Sequence, residues 1–356
     1  MRAGIIGFPQ VGKTTLFQIL TEGGASSQKG RAEAHIGTAL VRDDRLTRLS
    51  KMFQPKKTTP ATVEYVDVAG MSRGNVKDNK TLAHLKTADT LVHVIRAFDD
   101  PAIAHEEGSV DPRRDFQNLE LEFLLSDLAI VENRLERLEK DLKRSRDREL
   151  QSEQELMTAF MKALESEQPL RTLQLPPDQL RQARSFAFLS LKPQLVVLNL
   201  DESQIDQLDS AAERYGLASS AALTAFTAVC GKIEAEIAQL GPDEAEVFLK
   251  DLGFQEPGLN RVIRRTYELL GLISFFTVGE DECRAWTVAQ GINAQKAAGT
   301  IHSDIERGFI RAEVCRCDDL LQHGSMAALK SLGLFRLEGK DYVVRDGDVI
   351  HYRFNI

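Results

Sequence analysis

Cysteine is scarce in this chain: Cys230, Cys283, Cys315 and Cys317 are the only thiols among 356 residues. They are too few and too scattered for a disulfide framework at this length. The close pair Cys315 and Cys317 reads as two thiols on one face of a strand in a reducing compartment, in preference to the start of a metal site. Long apolar runs are missing too. Nothing approaches the roughly 20 residues of a membrane span. The apolar start MRAGIIGF is too short for the core of a secretion signal. A cytoplasmic protein with no membrane partner is therefore expected. Basic charge is not in excess: 45 Lys and Arg face 53 Asp and Glu, a net charge of -8. Bulk charge does not advertise nucleic-acid binding, no DNA partner is expected, and any RNA contact needs a local patch. What the chain does have is 42% hydrophobic and 28% charged residues, which excludes wholesale disorder. Its length allows two or three domains of roughly 100–200 residues.

Hydrophobic patterning divides the chain. Residues 1–7 read as a strand running into a glycine turn, and residues 13–22 as a helix with Leu16, Phe17 and Leu20 on one side. Further strands are expected at 61–68 (ATVEYVDV), 90–96 (TLVHVIR) and 194–199 (QLVVLN). The last two are too apolar for a sheet face open to water. They fit parallel strands covered by helices on both faces, an α/β fold with a mostly parallel sheet.

Between about 115 and 190 the pattern becomes helical. Leu121, Leu128, Leu135 and Leu142 recur every seven residues, with Leu124, Val131 and Leu138 in the complementary register. This heptad pattern predicts a long amphipathic helix. Further helices are expected at 152–166 and 178–190, with Pro169, Pro176 and Pro177 between them. Because the strand pattern resumes at 194, the stretch is read as an antiparallel helical arm inserted into the sheet domain, in preference to an intermolecular coiled coil. From about 274 short β-like runs dominate, and a separate small domain with one or two helices is expected. Asp346-Gly347, between the alternating runs Tyr342–Arg345 and Val349–Phe354, predicts a hairpin turn.

Gly7-Phe8-Pro9-Gln10-Val11-Gly12-Lys13-Thr14 matches G-x-x-x-x-G-K-[ST] at every fixed position, between a strand and a helix. Glycines let such a backbone wrap closely, so that successive N–H groups and the helix N-terminus face phosphate oxygens. Lys13 places a cation on the terminal phosphates, the Thr14 hydroxyl suits Mg²⁺, and Thr15 adds a hydroxyl and an N–H near the α-phosphate. Asp67-Val68-Ala69-Gly70 ends the 61–68 strand. An Asp there holds Mg²⁺, commonly through water, and the Gly70 N–H can sense the γ-phosphate. Asn199-Leu200-Asp201-Glu202 ends the 194–199 strand, where a guanine site would carry N-K-x-D. Leu200 replaces the Lys and Glu202 the Asp. A longer carboxylate is badly placed for the paired guanine contact, so the guanine code is impaired and adenine becomes plausible.

These elements, in this order, resemble the YchF family of Obg-like P-loop ATPases. The resemblance covers essentially the whole chain. It rests on GFPQVGKTT, YVDVAGM, VHVIRAFDDPAIAHEEGSVDPRRDF, NLDE, the Cys230-Gly231-Lys232 stretch and the C-terminal run RAWTV…AAGTIHSDIERGFIRAEV…DYVVRDGDVIHYRFN. It implies a Rossmann-like G domain (1–118 and 191–273), an inserted helical coiled-coil arm (119–190) and a small α+β TGS-like domain (274–356). It implies ATP hydrolysis in preference to GTP, and a ribosome or ribosomal subunit as partner. Cys230, Gly231 and Lys232 are placed in a base-binding loop. The sequence departs from the family at Gln10, where Asn is usual, and in the first switch, where the expected Thr aligns near Arg31 and Thr38 lies out of register. The second switch is altered to Ser72-Arg73-Gly74-Asn75-Val76-Lys77. Met71 stands where many GTPases carry a water-orienting Gln. Slow turnover is expected, with His84 or Arg73 as nearby polar groups. A GTPase of the same architecture and a nucleotide-binding scaffold with negligible turnover are the alternatives.

Overall fold

A computed structural model describes residues 1–21, 34–68, 79–145, 147–217 and 223–355. The strands of its first half are β1 Arg2–Ile6, β2 Ala34–Val41, β3 Lys57–Thr59, β4 Ala61–Val68, β5 Thr90–Arg96 and β6 Gln194–Asn199. Those of the second half are β7 Thr224–Val229, β8 Leu272–Thr277, β9 Glu282–Ala289, β10 Phe309–Arg316, β11 Arg336–Glu338 and β12 Asp348–Phe354. They form two sheets, ordered β2-β4-β1-β5-β6-β7 and β11-β10-β12-β8-β9-β3. The chain groups into two compact units, residues 1–38 with 64–269, and residues 39–63 with 270–356.

In the first unit β1 pairs in parallel with β4 and β5, β5 with β6, and β6 with β7. Every residue of β5 and β6 is buried. That explains why neither run alternates: a parallel strand covered on both faces has no solvent side to pattern. The expected α/β class is the one observed. Parallel order sends the carboxyl ends of β1, β4, β5, β6 and β7 to one edge, where ligands of such sheets bind.

The heptad stretch forms one helix, Pro112–Leu142. Its start is fixed by Asp111, whose side chain accepts the Arg114 N–H, and by Pro112 in the first turn. A second helix, Arg148–Glu165, is capped by Asp147 and folds back onto the first. The seam Leu124, Val131 and Leu138 is buried against Leu156, Met157 and Phe160 of the same chain. Leu128 and Leu135 pack at its margin, and Leu121 is exposed. The third helix is shorter than expected, Pro177–Arg184, and Phe188 beyond it joins the arm core.

The root of the arm is polar and buried. Asp127 accepts the N–H groups of Leu189 and Ser190 and the Ser190 hydroxyl. Burial still raises its carboxyl to about 6 against those hydrogen bonds. Arg171, also buried, donates to Glu120, Gln194, Thr224 and the Ser190 carbonyl. Helix, return segment and the strands β6 and β7 therefore share one guanidinium.

The second unit departs from the sequence reading in four ways. Residues 39–63, placed with the first domain from sequence, group here, because Lys57–Thr59 pairs with β9 and Arg45 reaches Asp346. More helices occur than expected, four of them short segments between Ala294 and Ser331. Asp346-Gly347 does turn the chain, with Gly347 at φ 80, but it joins no hairpin. Only Val343 of the preceding run bridges, to Asn293. Asp346 is instead drawn to the Ser274 N–H and Arg45, and Asp348 to Arg316, Tyr342 and the Arg345 N–H. The two thiols also separate: Cys315 lies in β10 and Cys317 opens the helix Cys317–His323. Both are free, and burial pushes them up to about 12 and about 11. Among the described residues no cluster of three or more His, Cys, Asp or Glu side chains is arranged to hold a metal ion.

Phe160 is fully buried and meets Phe188 edge-on with ring centroids 5.6 Å apart. Phe160→Ala is expected to destabilise the chain by about 3–5 kcal/mol, the usual cost of emptying an aromatic core site. Denaturant unfolding of the two proteins measures it; an unchanged midpoint would refute the assignment of Phe160 to the arm core.

Candidate nucleotide-binding site

The loop between β1 and the helix Lys13–Thr21 is curled by three left-handed positions, Gly7 (φ 145), Gln10 (φ 60) and Gly12 (φ 96). At Gly7 a Cβ would collide with the Val94 carbonyl of β5, and at Gly12 it would come within 2.5 Å of the Asn199 amide. Only glycine fits at either place. Such a loop turns successive N–H groups inward and forms an anion nest at a helix start. Phe8 and Val11 are buried and hold it to the core, whereas Pro9, Gln10, Thr14 and Thr15 are exposed.

Lys13 is only 7% exposed, and its Nζ donates to the Phe8 carbonyl at 2.6 Å. Burial lowers its pKa to about 8, against the attraction of Asp67. The Thr14 hydroxyl donates to the Asp67 carboxylate at 3.2 Å. Burial raises Asp67, opposed by Thr14, Lys13 and His35. The sequence thus brings together from separate elements a cation, a hydroxyl and a carboxylate. His35 on β2 was not anticipated, since only the fold places that strand beside Asp67.

Asn199 ends β6 and does not wait free for a ligand. Its Nδ2 donates to the Val11 carbonyl at 3.0 Å, and its Oδ1 accepts the Gly231 N–H at 2.9 Å. It ties the phosphate loop to the loop after β7. The side chain of Leu200, a residue expected beside the base, is buried with Ile95, Val196, Leu198, Ala211 and Leu217. An apolar side chain directly after a buried strand gains more from that cluster than from an open site. Cys230 likewise turns inward, to Ile233, Ile237 and Leu249. Of the residues expected around the base, Glu202 and Lys232 stay exposed and pair at 2.5 Å. Glu234, in the same block, accepts the Gly258 and Leu259 N–H groups at the start of the helix Gly258–Leu269.

Gly70, Met71, Arg73 and the rest of 69–78 lie outside the described residues, as does Arg31. Thr38 is on β2, and His84 is half-buried in the helix Asn79–Thr87.

Ribosome-binding ATPase YchF of Bacillus subtilis (strain 168) is 42% identical over 371 residues, covering 100% of both chains. The chain belongs to the YchF family. Its relative of the same name in Escherichia coli O157:H7 is 36% identical over 368 residues, covering 100% of this chain and 99% of that one. The solved Schizosaccharomyces pombe YchF GTPase matches with a TM-score of 0.87 at 30% identity, over 99% of this chain and 97% of the other. A family model described as 50S ribosome-binding GTPase matches residues 2–142. The YchF-GTPase C-terminal model, described as a protein of unknown function, matches residues 272–355. Among its described residues the chain has no helix long and apolar enough to cross a membrane.

Because free Lys13 loses its proton near pH 8, a polyphosphate that restores its charge must take up a proton above that pH. ATP affinity is expected to fall as pH rises through about 8. Calorimetry in buffers of different ionisation enthalpy should show the uptake. Lys13→Ala should abolish it and weaken binding by about 1.5–3 kcal/mol, the worth of a charge-assisted hydrogen bond. Identical pH profiles for the two proteins would remove Lys13 from the phosphate site.

Proposed function

We propose that this chain is a regulatory P-loop NTPase of the cytoplasm that binds ATP in preference to GTP, hydrolyses it slowly, and acts with the ribosome. The observation that carries the reading is the convergence of Lys13, Thr14 and Asp67 at a loop already curled for phosphate. Lys13, held on the Phe8 carbonyl, is placed to exchange that partner for phosphate oxygens. Thr14 and Asp67 present two hard oxygens side by side, and a buried carboxylate raised by desolvation is one that a cation would stabilise. That donor set fits Mg²⁺: Thr14 and Asp67 would hold the ion, which would supply neutralisation of phosphate charge. The residues supply position and charge, which is most of what phosphoryl transfer requires. Orientation of water is the missing part. Met71 cannot provide it, so turnover is slow unless a partner or another switch residue contributes.

The names of the relatives differ, ATPase for the bacterial proteins and GTPase for the Schizosaccharomyces pombe structure, so base choice turns on the residues of this chain. A carboxylate reads guanine through both oxygens. Glu202 is one methylene longer than the usual Asp and already bound to Lys232. Side-by-side calorimetric titrations of the purified protein should give ATP an affinity at least equal to that of GTP. A clear GTP preference would sink the ATP reading, and ATP binding without measurable phosphate release would favour the scaffold alternative.

The ribosome reading rests on the bacterial relatives' name. An RNA contact by an acidic chain must use local cations and release counterions. Co-sedimentation with ribosomes in the presence of ATP is therefore expected to weaken steeply as salt rises. Absence of co-sedimentation in every nucleotide state would contradict it.

A further inference from the structure

Charge is not spread evenly along the arm. Its two long helices, Pro112–Leu142 and Arg148–Glu165, meet at a short turn. Around that turn Lys140, Lys143, Arg144 and Arg148 are all exposed. Among the described residues none of these cations forms an ion pair, whereas Arg134, further down the same helix, is bound to Glu153. The turn itself is tight: the N–H groups of Lys143, Arg144 and Ser145 close on the carbonyls of Glu139 and Asp141. Its carboxylates are engaged by the arm. Asp147 accepts the Glu149 N–H at 2.8 Å and caps the second helix. Asp141 is half-buried and adds its charge to that of Glu153 around Arg134, whose hydrogen bond with Glu153 already raises it. Glu136, Glu139 and Glu149 are exposed alongside, and none comes within ion-pair distance of the tip cations.

Position along the arm decides what those cations can attract. An α-helix rises about 1.5 Å per residue, so Lys140 stands roughly 20 Å beyond the buried root at Asp127. That is about two Debye lengths at physiological salt. The root and the sheet it rests on are screened from the tip, and local charge governs there although the whole chain carries -8. No Phe, Tyr or Trp lies between Phe123 and Phe160, so this part of the arm offers no ring on which an unpaired base could stack. What remains is contact with a phosphate backbone. From this segregation of charge we infer that the tip of the arm docks on the phosphate backbone of duplex RNA, through Lys140, Lys143, Arg144 and Arg148. RNA as the occupant rests on the ribosome reading given above; the charge pattern supplies the surface and the chemistry of the contact. Such a contact positions the chain and reads no sequence. The polar root at Asp127 and Arg171 then has a use: it keeps a remote contact in fixed register with the strands β6 and β7.

The test uses the full chain and two combined variants. One replaces all the tip cations by Gln: Lys140→Gln, Lys143→Gln, Arg144→Gln and Arg148→Gln. Gln is about as good a helix former as Lys or Arg, so the arm should stay folded, and unchanged ATP affinity checks the rest of the chain. The other keeps the charge: Lys140→Arg, Lys143→Arg, Arg144→Lys and Arg148→Lys. Binding to purified ribosomes and to a free RNA duplex of about 20 base pairs, long enough to span the dozen or so pairs that proteins contact on such helices, is measured across a salt series. The Gln variant should lose at least about tenfold in affinity for both at low salt, and its slope of log affinity against log salt should flatten by about 3. The charge-keeping variant should bind like the unmodified chain. A Gln variant with unchanged affinity and slope would overturn the inference and leave the ribosome reading standing. Cation-dependent binding to ribosomes without binding to the duplex would also overturn it, since the occupant would then be an acidic protein. So would tighter binding to phosphatidylserine vesicles than to the duplex. No co-sedimentation of the unmodified chain would overturn the ribosome reading, and this inference with it.

Discussion

One side-chain amide holds the functional edge of this molecule together. Asn199 donates to the Val11 carbonyl of the phosphate loop and accepts from Gly231 at the loop after β7. Both bonds are buried, and an unpaired polar group there would cost more than a typical hydrogen bond gains. The amide suits the task because it carries a donor and an acceptor on one planar group. A carboxylate would leave Val11 facing a second acceptor. Everything at the edge follows from that bridge. Gly12 must lack a Cβ because the amide passes so close, and Lys232 meets Glu202 because their loops are set by the same residue.

The arm depends on a different kind of constraint. Its length is held by apolar packing of two helices, which is tolerant of detail. Its root is held by Asp127 and Arg171, which are not. Each is buried and satisfied by partners from several segments. Taking one away would leave charges and N–H groups unpaired in a low-dielectric setting. The polar root therefore gives the arm one register on the sheet, where an apolar root of similar size could slide.

The second unit shows the same division. Its core is apolar, with Phe275, Val288, Ala297 and Val314 among the buried residues, whereas its turns are fixed by carboxylates. Asp346 and Asp348, two residues apart, bind opposite directions of the chain, one reaching Ser274 and Arg45 and the other Arg316 and Tyr342. The Asp-Gly pair resembles a hairpin signal in sequence because the turn is real. Its neighbours decide that the strand before it is spent on loops.

The sequence by itself determined whatever depends on local spacing. Gly7 and Gly12 are called for by the left-handed backbone of the loop itself, before the distant Val94 and Asn199 add their own demand; the runs at 90–96 and 194–199 are marked by their unbroken apolar character, and the heptads by helical period. These are legible because the physical cause lies within a few residues of its sign. Tertiary structure alone decided what depends on partners distant in the chain. It buried Leu200 and Cys230, which sit in motif positions yet find apolar clusters within reach. It brought His35 towards Asp67, moved residues 39–63 to the second unit through pairing with β9, and gave Glu202 a counter-ion thirty residues away. In each case the deciding contact joins segments whose proximity follows from sheet order, and sheet order is not written in the spacing of any one motif.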